Sequence, residues 1–360
     1  MGKFTYVFCH GLNGRGQYDD EYEKNPYWGG ASGDVVAEWR ERGLDAYAAS
    51  VAPQGSAWDR ACELYAQIAG TRTDYGKAHA LAYGHSRVGR DFCGQGLIPS
   101  WDDDTRLVLI GHSFGGATIR LFSELLANGS KDERAVTAPE DLSPLFAGGL
   151  SNRVRAIVTL AAPSNGTTAY ELAADPAFDE RKIKVGFKYK LFNRLVRART
   201  KIKTDGRDQR DWASWDMTLD HAQALNERIH TLSHVYYLSV GCNATKPAED
   251  GRCVPDTNVM DPLFVRTGTN MGAYSGTTAA GCVADDAWHA NDGLVNTISA
   301  RAPFGAPQKQ LDPSHIEPGV WNVMEDLCAD HSFFSGGYLH KTNPHPFFDE
   351  LLRLLQSIEG

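Results

Sequence analysis

Leu107-Val108-Leu109-Ile110-Gly111-His112-Ser113-Phe114-Gly115-Gly116-Ala117 decides how this chain is read. A β-branched and aliphatic run breaks into Gly-x-Ser-x-Gly, and a helix-like segment from Thr118 to Asn128 follows at once. A nucleophile elbow needs this setting: a buried strand, a strained turn that lifts a serine, then a helix. Gly111 and Gly115 let strand and helix approach closely around the turn. The helix start also aims free N–H groups at negative charge developing beside Ser113. An ordinary Gly/Ser turn is the alternative, and the flanking strand and helix favour the nucleophile.

Working outward, Phe4 to Cys9 reads as a core strand running into His10-Gly11-Leu12-Asn13-Gly14. In an α/β-hydrolase the loop after this strand supplies one backbone donor to the oxyanion, and the Leu12 amide at the strand tip suits that task. Asp34 to Arg42 is amphipathic, with Val35, Val36 and Trp39 on one side, and stops at Gly43. Leu44 to Val51, Val154 to Leu160 and Ser233 to Gly241 read as further strands. A closing helix from Pro346 to Ile358 buries Phe347, Phe348, Leu351, Leu352 and Leu355. This rhythm implies an α/β fold, a mostly parallel sheet with helices on both faces.

The 360 residues fit a single domain, 1–360, with insertions on one core. A net charge of −9 argues against a nucleic-acid partner. No run approaches the roughly 18 apolar residues of a transmembrane segment. The early strand leaves no signal peptide, so a cytoplasmic protein and a mature secreted one both remain open. Seven cysteines are too scattered for a disulfide scaffold. Cys242 and Cys253 are the pair expected under oxidising conditions, against seven free thiols.

Residues 54–100 depart from the βαβ rhythm and form an insertion. A helix opens at Trp58-Asp59-Arg60 and closes at Gly70, and Asp74, His79 and His85 follow. Two histidines and an aspartate are the donors a nitrogen/oxygen zinc site uses, though their spacing fits no standard template and surface histidines are the plainer reading. The segment 167–232 lies between the strands Val154 to Leu160 and Ser233 to Gly241. Within it, Arg181 to Lys203 holds ten Lys or Arg and no acid, interleaved with Ile183, Phe187, Leu191, Leu195 and Ile202. Such a helix suits a lipid–water interface or simply a solvated face.

Ser113 needs a histidine to take its proton and a carboxylate to hold that imidazole, in the chain order Ser, Asp/Glu, His. Asp292, in a turn-forming Asn-Asp-Gly, and His331, near the C-terminus, fit best. Asp285, Asp286 and Asp330 compete for the acid, and His289, His340 and His345 for the base.

Nearly the whole chain resembles the zinc-containing thermoalkalophilic lipases of bacilli and their staphylococcal relatives. The shared residues include Tyr27-Trp28-Gly29-Gly30, Trp58-Asp59-Arg60-Ala61-Cys62-Glu63, Asp74-Tyr75-Gly76, Gly84-His85, Leu142-Ser143-Pro144-Leu145-Phe146, Asn291-Asp292-Gly293 and Asp330-His331. The resemblance implies an α/β-hydrolase with a triad of Ser113, Asp292 and His331, and an oxyanion hole from the N–H groups of Leu12 and Phe114. It implies a structural zinc on Asp59, His79, His85 and, from the weakly matching Trp215-Asp216 segment, Asp216. It also implies secretion, a lipid ester substrate, and a monomer or weak homo-oligomer. The chain departs from these lipases in three places. Gly111 stands where they usually carry alanine. Phe333 stands where their calcium site has an acid, so that site is expected to be missing. The lid or cap region that the resemblance implies, 167–232, is shorter and strongly basic. The expected function is serine-dependent hydrolysis of lipid esters, a triacylglycerol lipase. A carboxylesterase, phospholipase or acyltransferase on the same triad, or a non-catalytic lipid-surface binder, are the alternatives.

Overall fold

The computed structural model describes residues 4–174 and 208–358; the basic stretch 181–203 lies outside the described residues. Seven strands pair in parallel throughout one sheet. They are β1 (Phe4–Cys9), β2 (Asp45–Ala49), β5 (Arg106–His112), β6 (Val154–Leu160), β7 (Tyr236–Val240), β12 (Gln308–Gln310) and β13 (Trp321–Val323). The order across the sheet is β12-β13-β7-β6-β5-β1-β2. The remaining strands form small antiparallel hairpins: β3 (Arg72–Asp74) with β4 (Val88–Asp91), joined through the helix α3 (Lys77–Tyr83), β8 (Thr245–Pro247) with β9 (Cys253–Pro255), and β10 (Gly276–Thr277) with β11 (Val283–Ala284).

The central strands are apolar on both faces, as a strand covered by helices on each side must be. Val7 and Cys9 of β1 and Leu107 and Leu109 of β5 face one core layer, under α2 (Ala57–Ala69) and α4 (Phe114–Asn128). Tyr6, Phe8, Val108 and Ile110 alternate into the other layer, under α1 (Val35–Glu41) and the last helix, His345–Ser357. Asp34 caps α1 by accepting the Val36 N–H. Trp28, Trp39 and Phe348 fill this second layer, the two tryptophans edge-on to Phe8 and Phe348 tilted against it.

The topology places the site. The chain starts at β1, steps outward to β2, then returns to β5 on the other side of β1. The strand order therefore reverses at β1/β5, and ligands of open α/β sheets bind outside the carboxyl ends of the strands at such a switch point. Those two ends carry His10-Gly11-Leu12 and Ser113.

Two expectations need correcting. The elbow helix begins at Phe114, directly after Ser113, rather than at Thr118, because the serine itself makes the turn. All seven cysteines are free. The hairpin register sets Cys253 opposite Pro247, while buried Cys242 is bridged to Leu327, so the expected pair is held apart by different partners.

Candidate active site and metal centre

Ser113 sits at φ 56°, ψ −131°, a conformation most residues avoid. Close packing holds it there. A Cβ on Gly115 would lie 2.1 Å from the Cys9 carbonyl oxygen, and one on Gly111 would lie 2.6 Å from the Gly115 carbonyl carbon. The strand–turn–helix crossing therefore closes on glycines alone in this backbone.

Ser113 Oγ lies 2.8 Å from His331 Nε2, and His331 Nδ1 lies 2.8 Å from Asp292 Oδ2. All three residues are buried. An ionised Asp292 can only accept, so Nδ1 carries the imidazole proton and Nε2 is left to accept from the serine. The other carboxylate oxygen of Asp292 accepts the N–H groups of Leu294 (2.9 Å) and Val295 (2.7 Å), the product of the tight Asn-Asp-Gly turn. Three of the rivals are occupied elsewhere. Asp330 accepts from Asp261 N–H, Ser332 N–H and Ser332 Oγ–H. His289 Nε2 meets Ser275 Oγ at 3.0 Å, and His345 pairs with Glu38. Phe333 packs its ring on Phe334 and Phe347.

The amides around Leu12 are engaged: Gly11 N–H donates to Tyr27 Oη, Asn13 N–H to Pro53 O and Gly14 N–H to Gly11 O. Leu12 lines a cavity of about 340 Å³ in front of Ser113, with Tyr170, Met217, Leu294 and Val295 among its apolar walls.

Sequence reading missed a hydrogen-bonded chain behind this cavity. His112 Nε2 lies 3.0 Å from the His331 carbonyl oxygen, which can only accept, so Nε2 is the protonated nitrogen. Nδ1 then accepts from Tyr27 Oη–H at 2.6 Å, and Tyr27 Oη accepts the Gly11 N–H at 3.0 Å. Burial drives the His112 pKa well below its ordinary value, so the ring stays neutral and this direction is fixed. The chain ties the Leu12 loop to the backbone of His331. Tyr27 was visible only as part of the Tyr-Trp-Gly-Gly motif; nothing in its spacing announced the contact.

A second cluster lies beyond α2. Asp59, His79, His85 and Asp211 bring one donor atom each within 4.8 Å of all the others. His79 Nε2 is 3.2 Å from both Asp59 Oδ1 and Asp211 Oδ1, and His85 Nε2 is 3.3 Å from Asp211 Oδ2. Apart from that approach, His85 Nε2 and Asp211 Oδ2 are buried with no well-formed hydrogen bond among the described residues. Buried polar atoms are seldom left so, and two imidazoles with two carboxylates converging on one point fit a divalent metal of zinc type. Trp58 stacks on His79 at 5.0 Å and fixes that ring.

Asp211 takes the place given to Asp216. The segment is tethered to the chain before α2 by the Gly55–Trp212 bridge and by Ala213 N–H to Gln54 O. Asp216, at the end of the short helix Ala213–Asp216, accepts the Ala57 N–H at the start of α2 at 2.7 Å, and burial pushes its pKa up to about 7. Asp74 is likewise engaged elsewhere, gripped by Arg87 through two nitrogens. Asp59's neighbour Arg60 turns the opposite way. Its Nε donates to Thr118 Oγ1 (2.8 Å), Nη1 to Ala52 O (2.9 Å) and Nη2 to His10 O, so α2 ties the chain after β1 and β2 to the elbow helix.

A family model described as "Lipase-like, C-terminal domain" matches residues 2–195. Lipase 1 of Staphylococcus aureus strain MRSA252 is 33% identical over 357 residues, 92% of this chain and 50% of the relative. The chain thus spans about half the length of the curated relatives it matches. EstA from Clostridium botulinum superposes with a TM-score of 0.82 at 30% identity, over 98% of this chain and 88% of that one. The Staphylococcus hyicus lipase superposes with a TM-score of 0.81 at 28% identity, over 99% and 96%.

Proposed function

The chain belongs to the family described as lipase-like, C-terminal domain, and on that premise we propose that it is a triacylglycerol lipase acting through Ser113, His331 and Asp292. The Ser113–His331–Asp292 line of two 2.8 Å contacts carries the reading. His331 Nε2 takes the Ser113 proton as Oγ attacks the ester carbonyl, and Asp292 steadies the imidazolium. The N–H groups of Leu12 and Phe114 receive the oxyanion, where one such donor elsewhere contributes about 3 kcal/mol. His331 then protonates the leaving alcohol, the acyl-enzyme forms, and water releases the acid by the reverse relay. The orphaned donor atoms favour a zinc held by Asp59, His79, His85 and Asp211. With four protein ligands it would be structural, cross-linking the 54–100 insertion to the 208–216 segment. Its resemblance to the bacillary and staphylococcal lipases favours an extracellular enzyme. No helix among the described residues is long and apolar enough to cross a membrane.

The substrate class is tested with p-nitrophenyl esters from two to sixteen carbons and with emulsified triacylglycerol. A lipase hydrolyses the long chains and the emulsion. Activity confined to short soluble esters would make the protein a carboxylesterase instead.

Tyr27→Phe strips His112 Nδ1 and Gly11 N–H of their shared partner, and each buried orphan costs about 1–3 kcal/mol. If the chain positions the Leu12 amide, kcat falls about tenfold while KM stays within a factor of two. A lowered unfolding temperature with unchanged kcat would leave Tyr27 a purely structural role.

A further inference from the structure

A cavity of about 860 Å³, more than twice the volume in front of Ser113, lies between α4, the β6-β7-β13 face and the helix Leu219–Arg228. It shares no lining residue with the catalytic cavity. Arg120 lines it from α4 and is only 3% exposed. One nitrogen, Nη2, donates to Asn226 Oδ1 at 2.7 Å, and the guanidinium lies 5.8 Å over the Trp321 ring. Among the described residues no carboxylate offsets its burial, which pulls its pKa down to about 10. The nearest acid along that helix face, Glu124, is already engaged by His230 N–H (2.8 Å), His230 Nδ1 (3.1 Å) and Asn128 Nδ2 (2.7 Å). Glu227 also lines the cavity but is exposed to solvent, at its rim.

A buried cation without a counter-ion is costly to keep unless something completes it. The rest of the cavity says what that is. Ile157, Leu219, Trp288, Phe304 and Trp321 present hydrocarbon and ring surface, with half-exposed Phe304 lying near the opening. The volume falls in the range of small-molecule sites, which pair apolar walls with a few convergent polar groups. We propose that this cavity binds one long-chain free fatty acid, its carboxylate on Arg120 and its chain along these walls. A single fixed cation matches a single monoanionic head, and the walls match an alkyl tail rather than a hydrated phosphate. The site stands apart from Ser113 and needs no turnover to be observed.

The test is calorimetric titration of the full chain with oleate and with oleyl alcohol after Ser113 has been blocked by a fluorophosphonate. Should no label attach, the Ser113→Ala protein is titrated instead, so a failed hydrolase reading does not touch this one. One equivalent of oleate is expected to bind at least tenfold more tightly than the alcohol. Arg120→Met should weaken oleate at least tenfold and leave the alcohol unchanged. Phe304→Glu, on an exposed side chain, should also weaken oleate. Equal affinity for acid and alcohol, or oleate binding indifferent to both substitutions, overturns the proposal. Displacement of oleate by millimolar inorganic phosphate would make it a general anion site and overturn the fatty-acid assignment. If Arg120→Met fails to fold, the acid–alcohol comparison and Phe304→Glu decide.

Discussion

Ser113→Ala is expected to lower the hydrolysis of p-nitrophenyl esters by about 10⁴-fold or more, the scale at which a triad collapses when its nucleophile is removed. The same substitution abolishes labelling by a fluorophosphonate. The fold should be unaffected, because Oγ makes one hydrogen bond, to His331, and the strained backbone at φ 56° is set by the glycines around it. The unfolding temperature therefore stays within a few degrees of the parent. A variant that kept more than a tenth of the activity would remove Ser113 from the mechanism. Histidine or aspartate substitutions are less clean, since the Asp292 carboxylate also holds the Leu294 and Val295 N–H groups of its turn and joins that turn to His331 Nδ1.

Asp211→Ala is expected to abolish metal binding, whereas Asp216→Ala leaves about one equivalent of zinc per chain by elemental analysis. The two aspartates are five residues apart in one segment, and both are buried or nearly so, which makes them a matched pair. Only Asp211 reaches the imidazoles; Asp216 holds the Ala57 N–H. A metal present at 1,000 times its dissociation constant stabilises by about 4 kcal/mol, so chelation or Asp211→Ala should lower the unfolding temperature on the order of 5–10 °C. Asp216→Ala lowers it less and keeps the response to chelator, which Asp211→Ala loses. Zinc retained in Asp211→Ala and lost in Asp216→Ala would reverse the assignment. Activity should fall along with the metal, because Arg60, next to Asp59 on α2, holds His10 O and Thr118 on either side of the elbow.

How far the chain could be read without coordinates depended on whether the information was local. The elbow is local: a buried strand, a serine turn and a helix are written contiguously from Leu107 to Asn128. β6 was legible to the residue because Val154–Leu160 is a β-branched and aliphatic stretch, interrupted only by Arg155 and Thr159, between turn signals. The acid and base were legible as candidates, since Asp292 sits in a turn-forming Asn-Asp-Gly, but choosing them over Asp330 and His289 required contacts 39 and 218 positions apart. Asp211 and Asp216 both stand beside a tryptophan, and sequence offers no rule for which carboxylate turns toward His79. The relay through Tyr27 and His112 was out of reach for the same reason: 85 residues separate its two rings.

The tether between the start of α2 and the 208–216 segment has a consequence for the order of assembly. His79 meets Asp211 across 132 positions and Ala57 meets Asp216 across 159, and β5, α4 and β6 lie inside the loop so closed. Long loops close late, after the contacts that reward their entropy cost exist. The elbow module therefore forms before its clasp. Interactions absent from the transition state slow unfolding and leave the folding rate nearly unchanged. The clasp accordingly acts as a brake on the way out of the native state, lengthening the lifetime of a folded molecule more than it hastens its making.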